Sequence, residues 1–198
     1  QLSGTFQAAA TAAARVNAGG ARILAIDSRS ASLGQGLIAM EAAELARGGH
    51  DEEAIVAGVE DSIARTRTWG LLGDVSYAVR GGRVPRHREV IANLLRLTPM
   101  IRTYADGRIA SAGALFGRRG LVERFAGRIA AAAERDASYR VAVAHASDRD
   151  RAERLLATLL ERLPSVRAHY LTELGSALGV HGGPGTLVVS LQRVPADG

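Results

Sequence analysis

The chain has 198 residues, of which 47% are hydrophobic and 23% are charged. This balance is typical of a globular protein with one large or two small domains. It contains no cysteine, which excludes disulfides, thiol catalysis and zinc–thiolate sites. No apolar run approaches the roughly 18 residues that a membrane-spanning helix needs, so we expect no membrane span and a cytoplasmic location.

The positive charge has an unusual source. All 25 basic residues are arginine, and the formal net charge is +5. The absence of lysine excludes a Schiff-base lysine and the lysine of a P-loop. Arginines alternate with acidic residues, as over 148–154, which is typical of a solvated helix face. With aromatics at 4%, few side chains could stack on bases, so we expect no nucleic-acid partner.

The first part of the chain alternates between helical and strand patterns. Ser3 is a candidate N-cap for an alanine-rich helix. The predicted elements are a helix over 5–17, a buried strand over Ala21–Asp27, helices over 35–47 and 51–67, and a short strand over 68–72.

The pattern changes around residues 73–80, and we place a domain boundary there, giving domains 1–75 and 76–198. The second part again mixes helices and strands, and Asp106-Gly107 predicts a hairpin. The predicted elements are a turn at 81–85, helices over 86–96, 117–135 and 148–163, hairpin strands over 99–105 and 108–114, and strands over 140–145, 166–171 and 186–191. The fold class is therefore α/β.

The stretch His181-Gly182-Gly183-Pro184-Gly185 concentrates the features of a possible site. Glycines let the backbone approach a ligand closely, and a histidine beside them can donate or accept a hydrogen bond. A purely structural turn before the strand at 186–191 explains the same residues, and the turn by itself does not decide between the two.

Other candidate stretches also have two interpretations. The hydroxyl-rich loop 27–32 follows a predicted strand, where α/β sheets bind ligands, but it could equally be a capping loop. Gly117-Arg118-Arg119-Gly120 could bind an anion at a helix start or be a basic solvent loop. His145 could face a site or be satisfied in the core. No zinc motif, nucleophile elbow or complete dinucleotide fingerprint occurs.

The residue chemistry best fits an anion, such as a carboxylate, held by hydroxyl groups and an imidazole. Ser3 and Thr5 lie at the start of a predicted helix, where hydroxyls, backbone N–H groups and the helix dipole favour negative charge. His181 could donate to the same oxygen atoms.

Several stretches together resemble the DegV family of bacterial fatty-acid-binding proteins, in the family's order and over essentially the whole chain. The matching segments are Ser3-Gly4-Thr5-Phe6-Gln7, Asp27-Ser28-Arg29-Ser30-Ala31-Ser32 with Gly34 and Gly36, Gly81-Gly82-Arg83 with Leu95 and Pro99, and His181-Gly182-Gly183-Pro184-Gly185.

The resemblance implies two α/β domains with a lipid-binding cleft between them. It further implies that the protein is a non-catalytic subunit that binds a long-chain fatty acid in an apolar tunnel and presents its carboxylate to an ATP-dependent fatty acid kinase, which forms the acyl phosphate. Ser3, Gly4, Thr5 and His181 would bind the carboxylate, and Arg83, Arg118 and Arg119 would face the acyl phosphate or the kinase. The fatty acid would be the ligand, with no cofactor or metal.

The chain departs from the family's pattern in two ways. Gly182 stands where the family usually has threonine, which removes one hydroxyl. The family's amino-terminal stretch is also absent, so we expect the first domain to be incomplete. We expect a fragment, a split chain or the carboxyl part of a longer or fused polypeptide. A second chain or a swapped subunit is then a candidate to supply the missing part and to cover the apolar edges.

One alternative function remains open from the residues alone. His181 and Ser3 could serve a stand-alone enzyme acting on a small anionic substrate, with the histidine as acid or base and the serine as nucleophile or donor.

Overall fold

The fold is seen in a computed structural model that describes residues 4–84 and 97–195. The described chain forms helices α1 Thr5–Asn17, α2 Leu33–Arg47, α3 Glu52–Arg65, α4 Val75–Arg80, α5 Leu121–Ala130, α6 Arg149–Arg162 and α7 Ser176–Gly182. The strands are β1 Thr66–Leu71, β2 Leu97–Thr103, β3 Ile109–Phe116, β4 Ser138–His145, β5 Ser165–Glu173 and β6 Leu187–Val194.

The strands form one open, mixed sheet in the order β3-β2-β1-β6-β4-β5. Only β4 and β5 pair in parallel, and the other neighbours are antiparallel. Consequently β1, β3, β4 and β5 run in one direction, and their carboxyl ends lie at the same edge of the sheet, which we call the carboxyl edge.

The two faces of the sheet differ in chemistry because the side chains of each strand alternate. One face is apolar and packs under α5 and α6, whose Phe125, Ile129 and Leu155 are fully buried. The other face, under α2, carries buried hydroxyl and amide groups. Thr68 and Ser190 share a hydroxyl hydrogen bond of 2.8 Å, and another polar pair lies nearby. The fold therefore has three layers, with helices on both faces of the sheet.

Ion pairs attach the α2–α3 layer to the rest of the molecule. The guanidinium of Arg65 lies 2.7 Å from Glu41 on α2 and 2.6 Å from Asp61, and it donates to the backbone carbonyl of Arg193. Arg140 on β4 lies 2.6 Å from Glu44 on α2. These contacts join helix to sheet at the end of β6 farther from the carboxyl edge.

Most predicted elements are confirmed, including the mixed α/β class and the Asp106-Gly107 hairpin. The predicted helix over 117–135 is shorter, because residues 117–120 form a turn with positive φ at Gly117 and Gly120. The predicted helix over 86–96 lies outside the described residues. Strand β1, which precedes the predicted domain boundary, lies in one sheet with the later strands, and the boundary stays a prediction.

The predicted buried strand over Ala21–Asp27 is wrong. The segment forms no strand, and Ile23 and Leu24 are 48% and 59% exposed. No strand of the described chain lies beside it to take its backbone hydrogen bonds. Instead, the carboxamide of Asn17 accepts from the N–H of Ile23 at 2.7 Å and donates to its C=O at 2.8 Å.

Candidate functional site

The candidate site lies at the carboxyl edge of the sheet. Helix α4 follows β1, the turn 117–120 follows β3, and α7 follows β5, so all three begin at this edge. Open α/β sheets bind ligands at the carboxyl ends of their strands. His181 lies in the last turn of α7, just before the chain enters β6.

The imidazole of His181 is half-buried, and its Nδ1 is buried with no hydrogen-bond partner. Because Nδ1 has no partner in the fold, Nε2 is the imidazole nitrogen available to a ligand, and it donates to a ligand oxygen when it carries the proton. No carboxylate among the described residues orients the ring through Nδ1, as the acid of a catalytic triad would.

The glycine stretch after His181 folds tightly against the turn that follows β1. Gly183 caps α7 with a positive φ of 74°, which favours glycine. The hydroxyl of Thr186 donates to the carbonyl of Gly182 at 2.6 Å and accepts from the N–H of Gly73 at 2.9 Å. A Cβ at Gly182 would lie 2.7 Å from that hydroxyl oxygen, so Thr186 occupies the space beside position 182.

Arg83 and His181 have one contact residue in common, because both touch Gly81. The guanidinium of Arg83 donates to the carbonyl of Gly81 at 2.7 Å, and the ring of His181 lies against the Cα of the same glycine. Arg80, on the same helix–turn segment, stacks over the ring of Tyr77 at 4.4 Å.

Arg118 and Arg119 are exposed in the turn after β3, at the same edge of the sheet. Strand β3 is two strands from β1, a lateral distance of roughly 10 Å. The turn is held by Arg124, whose guanidinium donates to four backbone carbonyls; the acceptors are Phe116, Gly117, Arg119 and Gly120. Arg124 therefore fixes the conformation of the turn, and Arg118 and Arg119 lie on it exposed to solvent.

The structure describes only some of the amino-terminal residues that were predicted to bind the carboxylate. Ser3 lies outside the described residues. Gly4 is the N-cap residue of α1, and Thr5 is its first helical residue, both exposed. Only Ala13 of this helix is buried. A joint carboxylate site of Ser3, Thr5 and His181 therefore stays a prediction.

Two of the candidate stretches make hydrogen bonds within the fold. In the loop 27–32, the carboxylate of Asp27 accepts from the N–H of Arg29 at 3.0 Å, and the hydroxyl of Ser30 contacts Thr68 at 3.5 Å. His145 is buried, and its Nδ1 accepts from the N–H of Asp148 at 3.3 Å. Both are explained by structural roles.

A cavity of about 230 Å³ lies at the opposite end of β6, between α2 and strands β4 and β6. Its lining includes Glu41, Glu44, Arg65 and Arg140, so it is not an apolar tunnel for an acyl chain. Within residues 4–84 and 97–195, no group of three or more His, Asp or Glu side chains could hold a metal ion. No helix in the same ranges is long and apolar enough to cross a bilayer.

The sequence pattern pointed to His181 but missed two residues that shape its surroundings, Gly81 and Thr186. Gly81 was part of the motif Gly81-Gly82-Arg83, but its neighbour in space, His181, comes from a distant part of the chain. Thr186 was assigned to a buried strand. A buried hydroxyl directly after a glycine-rich turn was the signal that could have indicated its bond to the turn.

The fold and the candidate site define a three-layer α/β protein with a histidine and arginines at the carboxyl edge of its sheet. The family described as "Uncharacterised protein, DegV family" matches residues 1–194, and the chain belongs to the DegV family. It is 28% identical to Protein DegV of Bacillus subtilis over 187 residues, which cover 94% of this chain and 65% of that protein. It is 29% identical to a DegV domain-containing protein of Streptomyces coelicolor over 189 residues, 96% of this chain and 66% of the relative. The chain thus spans about two thirds of these relatives' length.

Solved structures of the family share the fold. A DegV family protein of Thermus thermophilus, described by its fatty acid binding, has a TM-score of 0.84 and 28% identity, over 98% of this chain and 68% of that one. DegV of Bacillus subtilis, described as a fatty acid binding protein, has a TM-score of 0.80 and 27% identity, over 98% and 67%. These matches confirm the mixed α/β fold class expected from the sequence.

Proposed function

We propose that this protein binds a long-chain fatty acid and presents its carboxylate to a separate ATP-dependent kinase, in the cytoplasm. The observation that carries the first part is the similarity over 98% of the chain to structures described as fatty-acid-binding. His181 supports it, since the imidazole lies at the carboxyl edge with Nε2 as the donor for a carboxylate oxygen. Arg83, beside the same glycine, adds positive charge there.

The acyl chain would provide most of the affinity and the polar groups its orientation. Each buried CH₂ group contributes about 0.8 kcal/mol, whereas a hydrogen bond to a charged group contributes about 1.5–3 kcal/mol. A long-chain fatty acid therefore binds tightly only where an apolar tunnel encloses it. In our proposal, Ser3, Gly4 and Thr5 hold the carboxylate together with His181.

The proposal assigns phosphoryl transfer to a partner kinase. Among the described residues, no acid orients His181 through Nδ1, which is what a general base of the triad type would require. The exposed Arg118 and Arg119 stand at the same edge as His181 and could contact either the kinase or the acyl phosphate.

A second polypeptide belongs to the same proposal. The surface formed by α1 and residues 21–27 exposes Phe6, Val16, Ile23 and Leu24. The chain spans about two thirds of its relatives' length, so a segment equivalent to the remaining third is the proposed cover. A second chain, a swapped subunit or further residues of the same polypeptide would supply it.

The test is palmitate binding, measured with radiolabelled palmitate, together with mass spectrometry of lipid extracted from the purified protein. We expect bound fatty acid in the extract and weak binding of methyl palmitate, which lacks the carboxylate. His181→Ala should lower palmitate affinity by about tenfold or more, the equivalent of one charge-assisted hydrogen bond. His169→Ala, at an exposed position on β5, is the matched control and should bind normally.

The kinase step is tested with the same loaded protein. Adding ATP and a fatty acid kinase should yield acyl phosphate, which hydroxylamine traps as a hydroxamate, and Arg118→Ala with Arg119→Ala should reduce the yield without changing palmitate affinity. Absence of fatty acid from the extract and from the incubated protein would contradict the proposal. Turnover of a small anion without a kinase, lost in His181→Ala, would instead favour a stand-alone enzyme.

A further inference from the structure

Gly81 and His181 are in direct contact at the carboxyl edge. A Cβ built on Gly81 would lie 2.2 Å from Nδ1 of His181 and 2.8 Å from Cε1. Real Cβ contacts are essentially never shorter than 3.0 Å, so any side chain at position 81 would displace the ring or the backbone. The edge of the imidazole that carries Nδ1 thus rests on the Cα of this glycine.

The backbone of position 81 does not itself require glycine. Gly81 is the C-cap residue of α4 with φ −75° and ψ 0°, a conformation open to any L-residue. The adjacent Gly82 is the opposite case, because its φ is +72° and nothing lies within 4 Å of a Cβ built there. Glycine is therefore favoured at the two positions for different reasons. At position 82 the backbone conformation favours it, and at position 81 the imidazole occupies the space that a side chain would need.

The contact also decides which nitrogen of His181 faces a ligand. With Nδ1 buried against a CH₂ group, it has no hydrogen-bond partner, and Nε2 on the other side of Cε1 is the donor. If the ring were displaced, Nε2 would move by a distance comparable to the overlap between the new Cβ and the ring. Hydrogen bonds weaken steeply as their geometry departs from the favoured range.

We propose that Gly81 is a positioning residue, which sets the orientation of the His181 ring and thereby directs Nε2 toward the carboxylate of the bound fatty acid. The ligand part of this inference rests on the proposed function, whereas the steric part does not. Gly81 does not touch the ligand in this scheme and acts on it through the imidazole.

The test is a double-mutant cycle on Gly81→Ala and His181→Ala. Gly81→Ala alone should weaken palmitate binding by about tenfold, close to the effect of His181→Ala, because it misplaces the same donor. In the His181→Ala background, Gly81→Ala should change affinity by less than about twofold, since the ring that it displaces is gone. Gly179→Ala is the matched control, because it lies on the same helix as His181 with nothing within 4 Å of a Cβ.

A second readout needs no ligand. The ring signals of His181 in NMR spectra of the imidazole groups should shift in Gly81→Ala and stay in place in Gly179→Ala. The midpoint of urea unfolding should fall in Gly81→Ala, and the fall should largely disappear in the His181→Ala background. Equal losses from Gly81→Ala with and without the imidazole would overturn the inference. Failure of the wild-type protein to bind palmitate would overturn the proposed function alone, because ring signals and unfolding still test the steric contact.

Discussion

At the scale of single residues, residues that are distant in the sequence build the surroundings of His181. The histidine within a glycine-rich stretch indicated His181, and the structure places it at the carboxyl edge. Its orientation depends on Gly81, which meets it only because α4 and α7 pack together. No local pattern around position 181 contains that contact, so the role of Gly81 could not be predicted from sequence.

Arg124 differs from the arginines on solvated helix faces that the sequence pattern predicts. Its guanidinium is directed inward at the carbonyls of the turn 116–120. We predict that Arg124→Met lowers the free energy of unfolding by about 1 kcal/mol, because four carbonyls of the turn lose a charged donor. Urea denaturation measures the change as a lower midpoint at unchanged slope.

Arg128 provides the control, since it lies on the same helix with its side chain exposed. Arg128→Met should change stability by less than about 0.5 kcal/mol. Equal destabilisation by the two variants would show that charge on α5, and not the clamp on the turn, stabilises this region.

At the scale of elements, prediction succeeded where an element is defined by its own sequence. The amphipathic pattern of α5 and the Asp106-Gly107 hairpin are local signals, and both elements formed. The segment Ala21–Asp27 has the composition of a strand, but a strand also requires a neighbour that takes its hydrogen bonds, and none lies beside it in the described chain. Helix α7 was missed because it is short and contains Gly179 and Gly182, which disfavour helix.

Hydrogen exchange tests whether the backbone of residues 21–27 is hydrogen-bonded. We predict rapid exchange of the amides of Leu24, Ala25 and Ile26, because no backbone hydrogen bonds protect them among the described residues. The amides of β4 and β6, which lie inside the sheet, serve as the protected reference. Adding the polypeptide that covers this surface should slow exchange at residues 24–26, and fast exchange in its presence would contradict the proposed cover.

At the scale of the whole molecule, the α2–α3 layer depends on Arg65 because the sheet face beneath it is polar. The guanidinium side chain is 6% exposed and contacts α2, α3 and the end of β6. Removing one partner of such a buried pair costs about 3 kcal/mol or more, since the remaining carboxylate stays uncompensated. For a chain of this size, Arg65→Leu should lower the melting temperature by about 6–12 °C in calorimetry.

The exposed ion pair between Arg22 and Glu52 gives the comparison for this prediction. Its side chains are 83% and 53% exposed, so solvent screens the attraction. Arg22→Leu should therefore leave the melting temperature within about 2 °C of the wild type. A similar fall for both variants would mean that net charge, and not the buried pair, governs stability.

The position of β6 has a consequence for how the chain acquires its fold during synthesis. β6 is the last strand of the described chain, yet it lies between β1 and β4 and is the link between β3-β2-β1 and β4-β5. Its pairs with β1, such as Thr66 with Gln192, join residues that are far apart in sequence, a topology associated with slow folding. Until β6 leaves the ribosome, the nascent polypeptide holds two separate partial sheets with the unpaired edges of β1 and β4 exposed. During that interval the growing chain is open to aggregation or to a chaperone.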